Sequence, residues 1–291
     1  MEFLNTLING LSLGGIYAII ALGYTMVYGI AKMLNFAHGD IIMVGGYIIY
    51  VAILILDINP LIGIIFAVIF CALLGVGMEK AAYKPLRGAS PLAVLITAIG
   101  VSYFLQSLSQ IIFGSATKYV AISELGTIPL GSVNIQVSSL ITLACSVIIM
   151  VALSIFIKFS KTGRAMIAVS EDRSAAKLMG INVDNIITIT FLIGASLAAL
   201  ASAFYLLKSP NISPVFGSKP GIKAFTAAVI GGIGSIPGAM IGGILLGVIE
   251  CFSNSIPALA PYTDAVEFAI LIAILLVRPS GLLGKVRREK V

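Results

Sequence analysis

The sequence predicts an all-α protein of the membrane, a polytopic bundle with about eight membrane segments. Two observations lead to this fold class. Hydrophobic residues make up 59% of the 291 positions and charged residues only 10%, whereas a soluble globular domain carries roughly 25% charged residues. The apolar residues are also gathered into runs of about 20, the length that an α-helix needs to cross the hydrocarbon core. The lipid bilayer is therefore the solvent that this composition fits.

Seven apolar runs are long enough for a spanning helix. Their approximate limits are residues 9–31, 40–56, 61–80, 91–113, 137–157, 186–207 and 263–278. An eighth run, 222–251, is too long for one ordinary span, and it is interrupted by the sequence GGIGSIPG at 231–238.

The distribution of Lys and Arg orients these segments, because cytoplasmic loops carry an excess of both. Loops 80–90 and 158–185 and the tail after residue 278 are rich in them, so we expect all three to face the cytoplasm. The poorly charged loop 114–136 fits the outside, and counting back places the N-terminus outside. Segment 186–207 then leads outward and segment 263–278 leads inward, so 222–251 must enter and leave the membrane from the outer side.

We therefore predict a hairpin of two half-length or tilted helices within 222–251. Broken helices at membrane depth are tolerated where they are buried in protein or line a cavity. The glycines expected to form the break and to pack its helices are Gly231, Gly232, Gly234, Gly238 and Gly242. One long tilted helix is the alternative. Small residues spaced by four, as at Gly10 and Gly14, further predict close helix packing.

The most informative polar segment is the loop 158–185. Its second half reads as a short helix, with Ser170 as N-cap, Glu171 and Asp172 in the first turn and Gly180 just after the end. The apolar side chains Ala175, Leu178 and Met179 would share one face of this helix. Such a face lies on the membrane surface or docks in a groove of a partner, and the spacing alone does not separate the two.

Polar residues within apolar runs are candidates for function, because charge at membrane depth is expensive. Asn35, His38, Gln106 and Glu250 are the candidates for a translocation path or gate. The alternatives are a helix-terminal turn for Asn35 and His38 and ordinary interhelical bonding for Gln106 and Glu250. The three cysteines stand apart and the chain has a single His, so neither a metal site nor a disulfide framework is expected. The basic residues lie beside apolar runs, which indicates membrane topology and not nucleic-acid binding.

Several motifs then resemble those of one family, the permease subunits of LIV-type (branched-chain amino acid) ABC importers, in particular the H type. The stretch Gly163-Arg164-Ala165-Met166, with Glu171-Asp172 and the run Ala175 to Ile181, looks like the loop of that family that contacts the ATPase. The other matching motifs are NGL and GGIYAIIALG at 9–23, LNFAHGD at 34–40, GGIGSIPGA at 231–239 and RPSGLLG at 278–284. The resemblance covers essentially the whole chain, which we expect to form one transmembrane domain, 1–291.

The resemblance implies a set of partners in a bacterial inner membrane. These are a second, related permease subunit, two cytoplasmic ATPase subunits and an extracytoplasmic amino-acid-binding protein. The chain has no GxxxxGK[ST] sequence, so ATP would be used by the partners and no cofactor is expected on this chain. An ion-coupled secondary transporter is the main alternative function. A membrane enzyme is a weaker one, because no nucleophile and base are suitably spaced.

Overall fold

A computed structural model describes residues 2–120, 122, 126–130 and 133–284 of the chain. Eleven α-helices and four short strands are formed by these residues. The helices are α1 (Glu2–Ala31), α2 (His38–Tyr50), α3 (Pro60–Met78), α4 (Pro91–Phe113), α5 (Val137–Phe159), α6 (Lys161–Glu171), α7 (Arg173–Leu178), α8 (Val183–Lys208), α9 (Ser218–Gly231), α10 (Ile236–Ser255) and α11 (Thr263–Val277). The strands are β1 (Lys118–Tyr119), β2 (Thr127–Leu130), β3 (Val133–Gln136) and β4 (Asn211–Ile212).

Eight of the described helical segments are long and apolar enough to cross a membrane, which confirms the predicted fold class. They are Phe3–Ala31, His38–Ile55, Pro60–Leu86, Pro91–Phe113, Val137–Phe159, Val183–Lys208, Ile236–Ser255 and Ala260–Val277. Local sequence explains several of the boundaries. The side chains of Asn59 and Ser90 cap α3 and α4, each directly before a proline, and proline at the first helical position lacks only an N–H that would be unpaired anyway.

The predicted hairpin at 222–251 is formed by α9 and α10, with a break at residues 232–235. Gly232 and Gly234 have φ angles of +105° and +92°, which favour glycine. The two helices are in backbone contact at two points: a Cβ at Gly242 would overlap the carbonyl oxygen of Ala227, and a Cβ at Gly231 would overlap that of Gly238. Because the later residue of α10 meets the earlier residue of α9, the two helices run antiparallel. Of the two helices, predicted to be half-length or tilted, only α9 is half-length: its 14 residues reach about 21 Å, whereas the 20 residues of α10 reach about 30 Å.

The described residues divide into two compact units built from alternating stretches of the chain. Unit 1 contains the described residues of 1–25, 125–150 and 223–291, and unit 2 contains those of 26–124 and 151–222. In unit 1, α1 packs closely on α10, with Gly14 against Ile244 and Gly243 against Ala18. The predicted packing of small residues at four-residue spacing is confirmed there.

In unit 2 the core is formed by α2, α3 and α8. Small residues again allow close approach, as where Gly45 of α2 faces Ala199 of α8 and Gly75 of α3 faces Ala195. Buried aromatic rings fill the remaining space, and Tyr47 stacks on Phe113 with ring centroids 4.3 Å apart.

The four short strands were not predicted from the sequence. Strands β2 and β3 pair antiparallel within unit 1, and β1 pairs antiparallel with β4 within unit 2. Strands of two to four residues leave little periodic signal, and the β1–β4 pairing joins stretches of chain far apart in sequence. The basic residues of the tail at 285–290 lie outside the described residues.

Candidate functional site

The predicted cytoplasmic loop, 158–185, forms two short helices where one was expected. Helix α6 begins after Ser160, whose hydroxyl accepts a hydrogen bond from the N–H of Gly163 at 2.8 Å. Gly163 lies directly against the end of α5, because a Cβ there would overlap backbone atoms of Phe156 and Ile157. The turn from α5 into α6 is therefore tight, and a glycine is required for it.

Helix α7 is capped at both ends. The predicted N-cap, Ser170, is wrong: its hydroxyl donates to the carbonyl of Ile167 inside α6. Asp172 is the N-cap, and it accepts bonds from the N–H groups of residues 174 and 175 at 2.7 and 3.0 Å. An aspartate caps better than a serine already bonded within the preceding helix, because its carboxylate also complements the positive end of the helix dipole.

The C-terminal end of α7 confirms the role predicted for Gly180. Gly180 has a φ of +81°, and its N–H donates to the carbonyl of Lys177, while the N–H of Ile181 donates to that of Ala176, both at 3.0 Å. This pair of bonds is the Schellman motif, which satisfies the last carbonyls of a helix. A helix of only six residues is thereby held in a defined shape.

The apolar residues of α6 and α7 divide into a buried and an exposed set. Met166 and Ala176 are buried, while Leu178 is 89% exposed and Met179 is 83% exposed. The predicted face of Ala175, Leu178 and Met179 is thus fully presented to the surroundings. Of the other residues predicted for this loop, Gly163 is buried, Ala165 is half-buried, and Arg164, Glu171 and Asp172 are exposed.

A basic cleft of about 610 Å³ lies beside this exposed face. It is lined by residues that include Arg87, Arg173, Lys177 and Asp184. Arg87 pairs with the buried carboxylate of Glu79 and with Asp184, so the C-terminal end of α3 is joined electrostatically to the start of α8. Arg173 of α7 donates from Nη2 to the carbonyl of Ile30 at 2.9 Å, which ties α7 to the end of α1.

Three of the predicted path residues belong to unit 2, where Asn35 and His38 are buried and Gln106 is half-buried. Asn35 lies in the non-helical stretch between α1 and α2, and its side-chain oxygen accepts a hydrogen bond from the Tyr83 hydroxyl at 2.7 Å. His38 is buried at the first turn of α2. Gln106 of α4 donates from Nε2 to the carboxylate of Asp40 at 2.8 Å. The structure therefore brings Gln106 to α2, where Asp40 is also buried.

The fourth predicted residue, Glu250, belongs to an ionic cluster in unit 1. Its carboxylate lies 2.8 Å from the ammonium of Lys223, which also contacts Asp264 at 3.0 Å and Glu267 at 3.1 Å. The Tyr17 hydroxyl donates to the other oxygen of Glu250 at 2.7 Å. Of the two roles left open for Glu250, interhelical pairing is the one that this geometry shows.

Sequence reasoning missed most members of this cluster. It did not single out Lys223, Asp264 or Glu267. The structure buries Lys223 on α9, with 8% exposure, and buries Glu267 on α11 completely. A usable signal was present, since charged residues stand inside both of the last two apolar runs, 222–251 and 263–278. Among the described residues, no group of three or more His, Cys, Asp or Glu side chains is arranged to hold a metal ion.

Comparison with known proteins gives full-length matches. The family described as "Branched-chain amino acid transport system / permease component" matches residues 6–275. The high-affinity branched-chain amino acid transport system permease protein BraD of Pseudomonas aeruginosa is 44% identical, over 100% of this chain and 98% of that protein. The corresponding protein LivH of Salmonella typhimurium is 45% identical over the same shares. A solved structure of PsaBC from Streptococcus pneumoniae in complex with Fab aligns with 94% of this chain and 91% of that chain, at a TM-score of 0.47 and 16% identity.

Proposed function

Because this chain belongs to the family of permease components of branched-chain amino acid transport systems, we propose that it carries branched-chain or related small amino acids into the cell as the membrane-spanning subunit of an ABC importer. It is a multi-pass protein of the bacterial inner membrane. The full-length similarity to permeases named for branched-chain amino acids supports the substrate class. The chain itself is a permease and not an enzyme, and the energy comes from separate ATPase subunits.

The observation that carries the coupling part of the proposal is the exposed apolar end of α7. Leu178 and Met179 are 89% and 83% exposed on a helix that is capped at both ends. Burial of two such side chains in a groove of a partner contributes about 1.5–3 kcal/mol each. A rigid, apolar helix end beside a basic cleft has the form of a helix-in-groove contact. The partner proposed for it is the ATPase subunit.

The same geometry explains how motion of the ATPases would reach the membrane. The tight turn at Gly163 joins α6 directly to α5, and the bond from Arg173 to Ile30 joins α7 to α1. Because these connections are short and capped, the residues 163–180 move as a lever and not as a flexible loop. ATP binding and hydrolysis in the partners would then drive alternating access of the helices.

The complete importer proposed here contains four other kinds of component. They are the lipid bilayer, a second and related permease subunit, two ATPase subunits and an extracytoplasmic amino-acid-binding protein. ATP acts on the partner subunits, and this chain binds no cofactor of its own. We treat residues 1–291 as one transmembrane domain, because its two units are assembled from alternating stretches of the chain.

We assign Asn35, His38 and Gln106 to the translocation path. The backbone leaves helical geometry at residues 32–37, directly before α2. Non-helical backbone at membrane depth is tolerated where it is enclosed by protein or lines a water-filled cavity. Asn35 and His38 are buried and Gln106 is half-buried. Asn35 and Gln106 have polar partners in Tyr83 and Asp40, and opening of the path would exchange those partners for substrate or water.

The coupling proposal is tested with the double variant Leu178→Asp and Met179→Asp. The ATPase subunits should no longer co-purify with the permease, since loss of both apolar contacts corresponds to an affinity decrease of about 100-fold or more. The control is Leu259→Asp, an exposed apolar residue in the connection between α10 and α11, which should leave the assembly intact.

ATPase subunits that co-purify with the double variant at wild-type stoichiometry, with transport retained, would show that the coupling assignment is wrong. The amount of ATP hydrolysed per amino acid imported is measured in the same proteoliposomes. Uptake that continues without ATP but stops when the ion gradients are removed would instead support an ion-coupled transporter.

A further inference from the structure

We propose that the carboxylates of Glu250, Asp264 and Glu267 form a receiving site for the ammonium group of the transported amino acid, and that Lys223 holds this site in the conformation described. The inference rests on the proposed function as an amino acid permease. It adds a site to that function, and it specifies the chemical group of the substrate that the membrane-spanning subunit itself recognises.

The geometry is that of a cation site with one cation already in place. The Lys223 ammonium contacts one oxygen of each carboxylate, at 2.8 Å for Glu250, 3.0 Å for Asp264 and 3.1 Å for Glu267. The carboxylates come from α10 and α11, and the lysine comes from α9. The Tyr17 hydroxyl of α1 fixes the second oxygen of Glu250 at 2.7 Å. Side chains from four helices of unit 1 therefore meet in one cluster, and α10 and α11 supply the carboxylates that contact the ammonium of α9.

The cluster contains more negative than positive charge. Three carboxylates face one ammonium, and among the described residues every ion pair of these carboxylates goes to Lys223. In addition, Glu267 is completely buried, and its Oε2 atom has no hydrogen-bond partner. An uncompensated carboxylate in a dry interior is unfavourable. The cluster thus has capacity for a second cationic donor.

A substrate ammonium matches this capacity. An ammonium group offers three N–H donors and no acceptor, and carboxylate oxygens are the acceptors with which it forms its strongest hydrogen bonds. Asp264 has a 59% exposed side chain, so one member of the cluster is accessible while Glu267 lies behind it. An incoming ammonium first contacts Asp264 and then competes with Lys223 for the buried carboxylate.

The cluster lies near the outer ends of the helices that form it. The break at 232–235 packs on residues 280–284, since Leu282 and Leu283 donate to the carbonyls of residues 230 and 231. That end adjoins the basic tail and is therefore cytoplasmic. Lys223 lies five residues from the start of α9, Glu250 five residues from the end of α10, and Asp264 and Glu267 one and four residues from the start of α11. At 1.5 Å per residue the cluster is therefore within about 8 Å of the helix ends opposite to the cytoplasm.

The site favours amino acids over neutral small molecules. Urea and simple amides share the size of small substrates, but they carry no positive charge and leave the excess carboxylate uncompensated. A carboxylic acid that lacks the ammonium, such as 4-methylpentanoate in place of leucine, adds a further negative charge. The membrane subunit would reject both classes even where the binding protein admitted them.

The test uses the assembled importer in nanodiscs, without the binding protein, and measures equilibrium binding of radiolabelled leucine and of 4-methylpentanoate. Wild type should bind leucine and not 4-methylpentanoate. The variants Glu267→Gln and Asp264→Asn should weaken leucine binding by about tenfold or more, the loss expected for one charged hydrogen bond. The control Asp57→Asn removes an exposed acid outside the cluster and should leave leucine binding unchanged.

Uptake into proteoliposomes with the binding protein distinguishes failure of the ammonium site from failure of the proposed function. If wild type imports leucine with ATP while Glu267→Gln and Asp264→Asn bind and import it within twofold of wild type, the ammonium site is wrong and the proposed function stands. Equal binding of leucine and 4-methylpentanoate also overturns the site. If wild type imports no amino acid under any condition, the proposed function itself fails. Asp264→Asn decides the matter should the buried substitution prevent folding, because Asp264 is exposed.

Discussion

The contact between α1 and α10 at Gly14 allows a quantitative test of the packing in unit 1. A Cβ built on Gly14 would lie 2.7 Å from Cα of Ile244 and 2.8 Å from its carbonyl oxygen. Carbon atoms in contact prefer separations of about 3.5–4.0 Å, so Gly14→Ala must push the two backbones apart by about 0.8 Å or more. Both contacts are with backbone atoms, which cannot rotate away as a side chain would.

The expected cost follows from this overlap. Overpacking of a well-packed contact costs about 1–3 kcal/mol. Replacing a helical glycine by alanine stabilises a helix by about 0.5–1 kcal/mol, so the net loss for Gly14→Ala is about 0–2.5 kcal/mol. At Gly10 the closest atom, Cα of Val248, is 3.0 Å away, and the loss should be smaller. At Gly100 nothing lies within 4 Å, so Gly100→Ala should be neutral or stabilising.

Thermal unfolding of the three purified variants in one detergent is the assay. A change of 1 kcal/mol in unfolding free energy shifts Tm by about 2–4 °C in a protein of 150–250 residues. For this chain of 291 residues the Tm shift per kcal/mol should be of that size or smaller. The expected order of Tm is Gly14→Ala lowest, then Gly10→Ala, with Gly100→Ala at or above wild type. Equal Tm values for Gly14→Ala and Gly100→Ala would refute the close approach of α1 to α10.

Two further predictions concern buried polar groups of unit 2. Glu79→Gln removes the buried partner of Arg87 and should lower the unfolding free energy by about 1–3 kcal/mol, less than the roughly 3–5 kcal/mol typical of a broken buried pair, because Arg87 keeps a second carboxylate. The control Lys84→Met removes only an exposed ion pair and should lower the unfolding free energy by less than about 1 kcal/mol. Equal Tm values for the two variants would contradict this prediction. Tyr83→Phe leaves the buried oxygen of Asn35 without its donor and should cost about 1–3 kcal/mol, which denaturant unfolding measures; an unchanged midpoint would show that water replaces the hydroxyl.

The short helix α7 shows how far local sequence reasoning reached in the cytoplasmic loop. The helix, its glycine end at Gly180 and its exposed apolar residues were all predictable, because each depends on neighbours within a few positions. The start was not, since Ser170 and Asp172 are both good N-caps. The choice between them depended on α6 extending to Glu171, and α6 in turn is fixed by its contact with the end of α5.

The ionic cluster around Lys223 illustrates what lay beyond such reasoning. Its members are 27 to 44 positions apart along the chain, counted from Lys223 to Glu250 and Glu267. Each appears in the sequence as a lone charge near the end of an apolar run, and a run end reads equally well as a membrane boundary. Only the antiparallel packing of α9 on α10, followed by the return of α11, decides that these charges meet.

The sequence by itself determined that the protein is embedded in a lipid bilayer, the approximate number of membrane segments, the break in 222–251 and the family. All of these depend on composition, on the length of apolar runs or on contiguous motifs. Such features are local, because every backbone group of a membrane helix must form its hydrogen bonds within that helix. The tertiary structure decided which buried charges are paired, which glycines are in backbone contact and which apolar residues remain exposed. Those properties are set by distances between helices, and such distances are not encoded at any one stretch of the chain.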